Sequence, residues 1–163
     1  MSAESTLPRH VLDRFFAHGH TRNYAAGDII ISAGDYSSEL YYLLSGSVAV
    51  QFEDKEGHEI ILAYLHEGEM FGEIGMFDER HERSAWVRAR GDCEIANISY
   101  DAMRRVVQDS PGVVYEMLGQ LAMRVRNTSR KASALAFTDV AGRVARVLLD
   151  LCEQPEVEHR SDG

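Results

Sequence analysis

The chain has 163 residues, of which 45% are hydrophobic and 26% are charged, as in an ordinary globular protein. This length allows one well-formed core plus an appendage rather than two full domains. The net charge is −9, whereas a free-standing nucleic-acid binder needs a basic face to neutralise phosphates. We therefore expect that any part that reads DNA lies outside these residues.

Neither the apolar runs nor the cysteines indicate a membrane or secreted protein. No run approaches the roughly 20 apolar residues that cross a bilayer, and the first ten residues contain no positive stretch followed by an apolar core. The two cysteines, Cys93 and Cys152, form no CxxC pair, which argues against a disulfide scaffold, a zinc ribbon or a four-cysteine cluster. We expect a cytoplasmic protein without a membrane partner.

Short runs rich in β-branched and aromatic residues alternate with glycines over the first two-thirds of the chain. The glycines from Gly27 to Gly68 lie 7 to 12 residues apart, and Gly-Asp and Glu-Gly pairs supply turn residues. The predicted strands are Asp28–Ser32, Leu40–Leu44, Ser47–Phe52, Glu59–Tyr64, Ala85–Ala89 and Cys93–Ile98. Strands of this length and spacing predict a mainly β domain, a sandwich or jelly roll.

Helical patterns follow the strands. Tyr100–Gln108 predicts a short helix, and Ser110-Pro111 starts a longer one, with serine as cap and proline in the first turn. Apolar residues then recur at spacings of 4 and 3, the a/d pattern of paired helices. The seam residues are Val114, Leu118, Leu121, Val125, Thr128, Ala132 and Leu135. A helix packed on its own domain gives the same stripe, but the length and regularity favour a symmetric dimer.

A shorter helix is predicted after the long one. Thr138-Asp139 provides a cap, and the helix must end before Pro155, because proline cannot continue it. One face of this helix is apolar, with Val140, Val144, Val147, Leu148 and Leu151.

The segment from Phe71 to Trp86 carries the chemistry. Gly72 and Gly75 allow the backbone to approach a ligand closely and expose N–H groups to an anion. Arg83 offers a planar fork for a phosphate, and Ser84 adds a hydroxyl donor. The carboxylate of Glu73 can accept a hydrogen bond from a sugar hydroxyl. Taken singly, the glycines are equally compatible with a plain turn, and Arg83-Ser84 with a solvated strand end.

The same segment resembles the phosphate-binding cassette of cyclic-nucleotide-binding domains. A longer match, from about residue 13 to residue 155, is similar to the cyclic-AMP receptor proteins, a family of bacterial transcription regulators. The matching motifs are Leu40-Tyr-Tyr, Ser45-Gly-Ser-Val-Ala-Val50, Glu82-Arg-Ser-Ala-Trp-Val-Arg-Ala89, Ile98-Ser-Tyr100 and Ala136-Phe-Thr-Asp-Val-Ala-Gly-Arg143. The resemblance implies a regulator, not an enzyme, with cyclic AMP as allosteric ligand and no metal.

The resemblance also implies a role for each site residue. Glu73 is expected to bind the ribose 2′-hydroxyl. Arg83 and Ser84 are expected to hold the cyclic phosphate, and Gly72 to complete that part of the pocket. On the long helix, Arg124 matches an arginine beside the ligand, Thr128 a residue that contacts adenine, and Ser129 its counterpart from the partner subunit. Thr128 would then lie where the dimer seam meets the base.

The implied organisation is a cyclic-nucleotide-binding jelly roll at 10–108, a dimerisation helix at 110–137 and a shorter helix at 139–153. Family members continue into a winged helix-turn-helix domain, which we expect to be missing here. The implied partners are a second copy of the chain and, through the full-length protein, DNA and RNA polymerase. His20 and Arg22 match basic positions of the polymerase-contact surface, but Ala102 stands where the family has lysine, so the match to that surface is incomplete.

Three other interpretations stay open. The same fold could sense another effector such as cyclic di-GMP, although Arg83-Ser84 and Thr128-Ser129 favour cyclic AMP. His18 and His20 are half of the donor set of a cupin-type metalloenzyme, but no glutamate follows at the required spacing. A regulatory module of a kinase or channel is the third, and the regular seam directly after the β domain favours the transcription factor instead.

Overall fold

The computed structural model describes residue 7, residues 9–137, and residues 142, 144, 145 and 147–149. The elements in chain order are α1 (Arg9–His18), β1 (His20–Tyr24), β2 (Ile29–Ile31), β3 (Glu39–Ser45), β4 (Ser47–Glu53), β5 (Glu59–His66), β6 (Met70–Phe71), α2 (Ile74–Phe77), β7 (Trp86–Ala89), β8 (Cys93–Ser99), α3 (Tyr100–Asp109) and α4 (Gly112–Phe137). Of the predicted helix at 139–153, the six described residues are helical. Its start at Thr138-Asp139 and its end before Pro155 lie outside the described residues.

The strands form two antiparallel four-stranded sheets, which confirms the predicted jelly roll. The strand orders are β1-β8-β3-β6 and β2-β7-β4-β5, the arrangement of two interleaved Greek keys. The chain passes from the first sheet to the second at Gly46, where φ is +88°. A Cβ at this position would lie 2.4 Å from the carbonyl oxygen of Asp92, so only glycine fits this crossing.

The sequence did not predict α1, β1, β6 or α2. The β1 segment reads HTRNY and is mostly exposed, so it has no apolar alternation to detect. It becomes a strand because all five residues pair with β8. The β6 strand has only two residues, too few for any periodic pattern, and it forms by pairing with Tyr41 and Tyr42 of β3.

Two apolar clusters share the first sheet. On β3, Leu40 and Tyr42 belong to the cluster that includes α1, α3 and the start of α4. Tyr41 and Leu43 belong to the cluster between the two sheets. Because alternate side chains of a strand point to opposite faces, β3 is buried on both sides, which explains its nearly continuous apolar sequence.

The long helix α4 crosses the boundary between two compact units, Met1–Leu121 and Ala122–Gly163. In the first unit its core-facing residues are Val113, Met117 and Gln120, which are buried. The predicted seam is the neighbouring stripe. Of its members, Leu118 is 54% exposed and Val125 is 65% exposed. None of the helices in the described part of the chain has the length and apolar character needed to span a membrane.

Candidate functional site

The backbone around residue 72 turns sharply from β6 into the single turn of α2. Gly72 has φ +79°, which a residue with a side chain rarely adopts. A Cβ there would also lie 2.7 Å from Nη1 of Arg83. Glycine at this position therefore serves two purposes, the left-handed turn and the close approach of the arginine. Glu73 follows as the residue before α2 and is only 7% exposed.

Arg83 is held in place by backbone pairing with the loop that precedes β3. Its N–H donates to the carbonyl of Asp35 at 2.8 Å, and its carbonyl accepts from the N–H of Gly34 at 2.9 Å. A β-bridge between Tyr36 and Glu82 extends this pairing. The loop thus supports the cassette from a distant part of the sequence, and Arg83 itself is 5% exposed.

The guanidinium of Arg83 is bound from four directions. Nη1 donates to the carbonyl of Gly72 at 2.9 Å and to the Tyr100 hydroxyl at 3.0 Å. Nη2 donates to Oγ of Ser37 at 2.8 Å and to the carbonyl of Glu39 at 2.7 Å. All four acceptors are neutral oxygens, so these bonds satisfy the donors without neutralising the cation. The charge therefore stays available to an anion.

This geometry refines the expected role of Arg83. An arginine has five N–H donors, and the four on its terminal nitrogens are directed at protein acceptors. A phosphate that binds here must use the Nε–H or replace some of these four bonds. The sequence predicted that the terminal nitrogens of Arg83 face the ligand, whereas in the folded chain they face protein acceptors.

Two tyrosines flank the guanidinium. Its central carbon lies 5.5 Å from the ring centre of Tyr41 and 6.0 Å from that of Tyr100, within the range of a cation–π interaction. Burial raises the pKa of Tyr41 to about 12 and also raises the pKa of Tyr100. Both hydroxyls are therefore protonated near neutral pH and can donate hydrogen bonds.

A cleft of about 440 Å³ opens beside Arg83. Its volume is within the range of small-molecule sites, about 300–1,000 Å³. The lining residues are Ile30, Ile31, Ser32, Asp35, Tyr36, Ser37, Tyr41 and Arg83. Isoleucines from one sheet and Tyr41 from the other thus meet several hydroxyls, the Asp35 carboxylate and one cation. Of the predicted cassette residues, Arg83 alone lines this cleft.

The structure brings Gly72, Glu73 and Arg83 together, with the exposed Ser84 directly after the buried arginine. The other predicted site residues belong to the second unit of the chain. There Arg124 is half-buried, and Thr128 and Ser129 are exposed on α4. Their placement relative to the cassette stays a prediction.

Sequence reasoning missed the residues that bind Arg83 from behind. These residues are Ser37, Glu39, Tyr41 and Tyr100. Both tyrosines stand within motifs that were recognised, but a motif does not reveal which side chains the fold brings into contact. Ser37 lies in a polar loop and Glu39 is the first residue of β3, and neither carried a signal of its own.

The histidines considered for a metal site are exposed, His18 at the end of α1 and His20 at the start of β1. Among the described residues, a different trio could offer metal ligands: Asp54, Glu56 and His58, on the turn between β4 and β5. All three are exposed, and His58 Nδ1 lies 3.0 Å from a carboxylate oxygen of Asp54. These observations give no support to a buried cupin-type centre.

The surface suggested for polymerase contact is only partly polar. His20 and Arg22 are exposed on β1. Ala102 is buried, and its N–H is bound by Oγ of Ser99, which caps α3.

The jelly roll and its glycine-flanked, arginine-backed cassette define a cyclic-nucleotide-binding domain. The model of the cyclic nucleotide-binding domain family matches residues 21–110, more than half of the chain. The chain belongs to the CRP/Vfr family of cyclic-nucleotide-responsive transcription regulators, and it is therefore a regulator rather than an enzyme.

Curated relatives support this assignment over almost the whole chain. The chain is 47% identical to the cAMP-activated global transcriptional regulator Vfr of Pseudomonas aeruginosa, over 93% of its own length and 72% of that protein. It is also 47% identical to the cAMP-activated global transcriptional regulator CRP of Haemophilus influenzae, over 98% of its own length and 71% of the relative.

Solved structures of related regulators support the same family assignment. The c-di-GMP responsive global regulator CLP of Xanthomonas campestris is similar with a TM-score of 0.86 and 38% identity, over 96% of this chain and 78% of that one. The catabolite activator protein of Thermus thermophilus is similar with a TM-score of 0.67 and 31% identity, over 92% of this chain and 70% of that one.

Proposed function

We propose that the chain is the ligand-binding and dimerising portion of a cyclic-AMP-responsive transcription regulator, acting in the cytoplasm. The named activity of the relatives supports cyclic AMP as the ligand. The observation that carries the proposal is the burial of two charged side chains, Arg83 and Glu73, beside the left-handed Gly72. Burying the Arg83 cation costs several kcal/mol unless it is compensated. Its four hydrogen-bond acceptors are all neutral oxygens, so an anionic ligand explains why this charge is retained.

The proposed contacts divide between the two charged residues. Arg83, with the exposed hydroxyl of Ser84, binds the cyclic phosphate, because a guanidinium and a hydroxyl are both donors to an anion. Glu73 accepts a hydrogen bond from the ribose 2′-hydroxyl. Arg124, Thr128 and, from the partner subunit, Ser129 complete the site next to the adenine, a part of the proposal that rests on the family resemblance.

The proposed dimer uses the seam on α4. A single exposed apolar residue is ordinary, but large apolar residues repeated along one exposed helix face indicate an interaction surface. Leu118 and Val125 are such residues, seven positions apart on one face. The proposed interface comprises Val114, Leu118, Leu121, Val125, Thr128, Ala132 and Leu135.

The proposed mechanism is allosteric. The nucleotide binds the jelly roll (10–108) and the dimerisation helix (110–137) together, and the helix at 139–153 passes the change to the DNA-binding part of the full regulator. The ligand can shift this equilibrium only by its difference in affinity for the two arrangements. Contact with RNA polymerase through the full regulator is a further expectation, with Arg22 available and Ala102 buried.

A second candidate ligand is cyclic di-GMP. It is favoured by one observation, the similarity to the solved c-di-GMP responsive regulator CLP. Both ligands carry phosphates that Arg83 could bind, so the fold alone does not separate them. Arg83-Ser84 together with Thr128-Ser129 favours the cyclic mononucleotide.

Isothermal titration calorimetry of the 163-residue chain with cyclic AMP, cyclic GMP and cyclic di-GMP tests the proposal. We expect cyclic AMP to bind most tightly, by at least about tenfold, which corresponds to about 1.4 kcal/mol. Tighter binding of cyclic di-GMP would transfer the function to the second candidate. No heat with any of the three would contradict both.

A further inference from the structure

Tyr100 connects the cassette to the helical side of the fold. It follows β8 directly, is the first residue of α3, and is 2% exposed. Its backbone is fixed on both sides: its N–H donates to the carbonyl of Ser38 at 2.8 Å, and Ser99 caps the helix that it begins. The position of its backbone is therefore set by the junction of sheet and helix.

The hydroxyl of Tyr100 contacts both parts of the cassette at once. It donates to the carbonyl of Gly72 at 2.6 Å and accepts from Nη1 of Arg83 at 3.0 Å. The same Nη1 donates to the same carbonyl at 2.9 Å. The three groups form a closed triangle, so none of them can move without stretching bonds to the other two.

The surroundings leave the hydroxyl no alternative position. A Cβ at residue 75 would lie 2.7 Å from the hydroxyl oxygen, which means that Gly75 makes the space that the hydroxyl occupies. The ring of His81 lies 5.7 Å from the ring of Tyr100, and its Nδ1 is bound to the carbonyl of Gly75. Residues from both ends of the cassette thus enclose the ring.

We propose that Tyr100 is a positioning residue for the phosphate site, and that its hydroxyl holds the guanidinium of Arg83 and the Gly72–Glu73 peptide in one fixed arrangement. This inference rests on the proposed function, because it assigns Tyr100 a role in cyclic-nucleotide binding. Preorganised charge binds an anion more tightly than the same charge on a mobile side chain, since less freedom is lost on binding. Tyr100 acts through Arg83 and does not itself contact the ligand.

The test replaces Tyr100 by phenylalanine, which removes one oxygen and keeps the ring. The matched control is Tyr42→Phe. Tyr42 is also buried, but its ring lies on the face of β3 opposite to that of Tyr41, which flanks Arg83, and 6.0 Å from the ring of Phe15. By calorimetry we expect Tyr100→Phe to weaken cyclic AMP binding about tenfold, the scale of one hydrogen bond to a charged group, and Tyr42→Phe to change it less than about twofold.

Adenosine, which has no phosphate, distinguishes positioning from general damage. Competition titrations should give the same adenosine affinity for Tyr100→Phe and the unmodified chain. In an Arg83→Gln background, Tyr100→Phe should cause no further loss of cyclic AMP affinity, because residues that act through one another are not additive. Equal losses for adenosine and cyclic AMP, or additive losses in the double variant, would overturn the inference.

Gly75→Ala provides a second, independent variant. Its methyl group would displace the Tyr100 hydroxyl, so it should also weaken cyclic AMP binding, yet add nothing in the Tyr100→Phe background, where the oxygen is gone. This variant tests the inference even if Tyr100→Phe folds poorly. An unmodified chain that does not bind cyclic AMP would overturn the proposed function as well, whereas normal binding by both single variants would overturn only the role of Tyr100.

Discussion

The cassette and the long helix both depart from the usual distribution, in which charged side chains are exposed and apolar side chains are buried. The cassette buries charged side chains, Arg83 and Glu73, whereas α4 exposes apolar ones, Leu118 and Val125. A buried cation costs free energy unless it is compensated, and a row of large apolar residues on one exposed helix face differs from the scattered surface residues of an ordinary protein. Under the proposed function the two regions therefore need different molecules, an anion that binds Arg83 in the cassette and an apolar surface that covers the helix.

The largest effect is expected from Arg83→Ala. Under the proposed function the phosphate binds the Nε–H of Arg83 and terminal N–H groups that exchange a protein acceptor for it. Two such charge-assisted contacts are worth about 1.5–3 kcal/mol each, so their loss should weaken cyclic AMP binding more than about a hundredfold by calorimetry. Arg83→Lys should restore only part of this loss, because an ammonium group cannot reproduce the planar set of donors that binds the protein acceptors and the phosphate together. The fold should remain, as judged by circular dichroism.

Arg88→Ala is the matched control for that experiment. Arg88 is also an arginine next to the cassette, but it lies within β7 and donates to the carbonyl of Gly27. Its loss should leave the affinity within about twofold. An unchanged cyclic AMP affinity in Arg83→Ala would show that the site has been assigned wrongly.

The next largest effect concerns the helix. The chain should sediment as a dimer with or without ligand, and Leu118→Glu or Leu121→Glu should give monomers, because two like charges would meet at the symmetry axis. Met123→Glu is the control: Met123 is half exposed, but it lies about 140° around the helix from Leu118. Dimers that persist in both seam variants at micromolar concentration would show that the seam is not the interface.

A smaller effect is expected on the melting temperature, in an experiment that tests ligand binding and DNA binding separately. Saturating cyclic AMP should raise the melting temperature of the 163-residue chain by an amount that grows with the logarithm of ligand concentration. In a gel shift at low salt, the same chain should not retard a palindromic operator specifically, because 26 carboxylates outnumber 17 lysines and arginines. A flat melting curve would contradict the pocket, and specific retardation would mean that the DNA-binding surface has been misplaced.

The smallest effect is on the alkaline side of the stability profile. The pKa of Tyr41 is raised from 10.0 to about 12 by burial, so the folded state favours the protonated phenol. This contribution is fully present below pH 10 and is lost as the pH rises toward 12. Urea unfolding at pH 9 and pH 11 should therefore show a smaller loss of stability in Tyr41→Phe than in the unmodified chain.

Most of the fold could be predicted because its signals are local. Six of the eight strands, together with α3 and α4, follow from apolar runs, turn glycines and helix starts that each lie within a few neighbouring residues. The exceptions have a common reason. The polar strand β1 and the two-residue strand β6 exist because partner strands pair with them, and no pattern within either segment records its partner.

The sequence by itself determined the class of protein, and it predicted the cassette and the seam, since glycine positions, charged residues and heptad spacing can be read along the chain. Only the tertiary structure decided the environment of Arg83, because two of its acceptors come from Ser37 and Glu39, 46 and 44 residues away. It also decided that Val113 and Met117 pack into the core while Leu118 and Val125 of the neighbouring stripe stay exposed. Side-chain partners depend on distances between segments, which long-range packing sets and which local periodicity cannot encode.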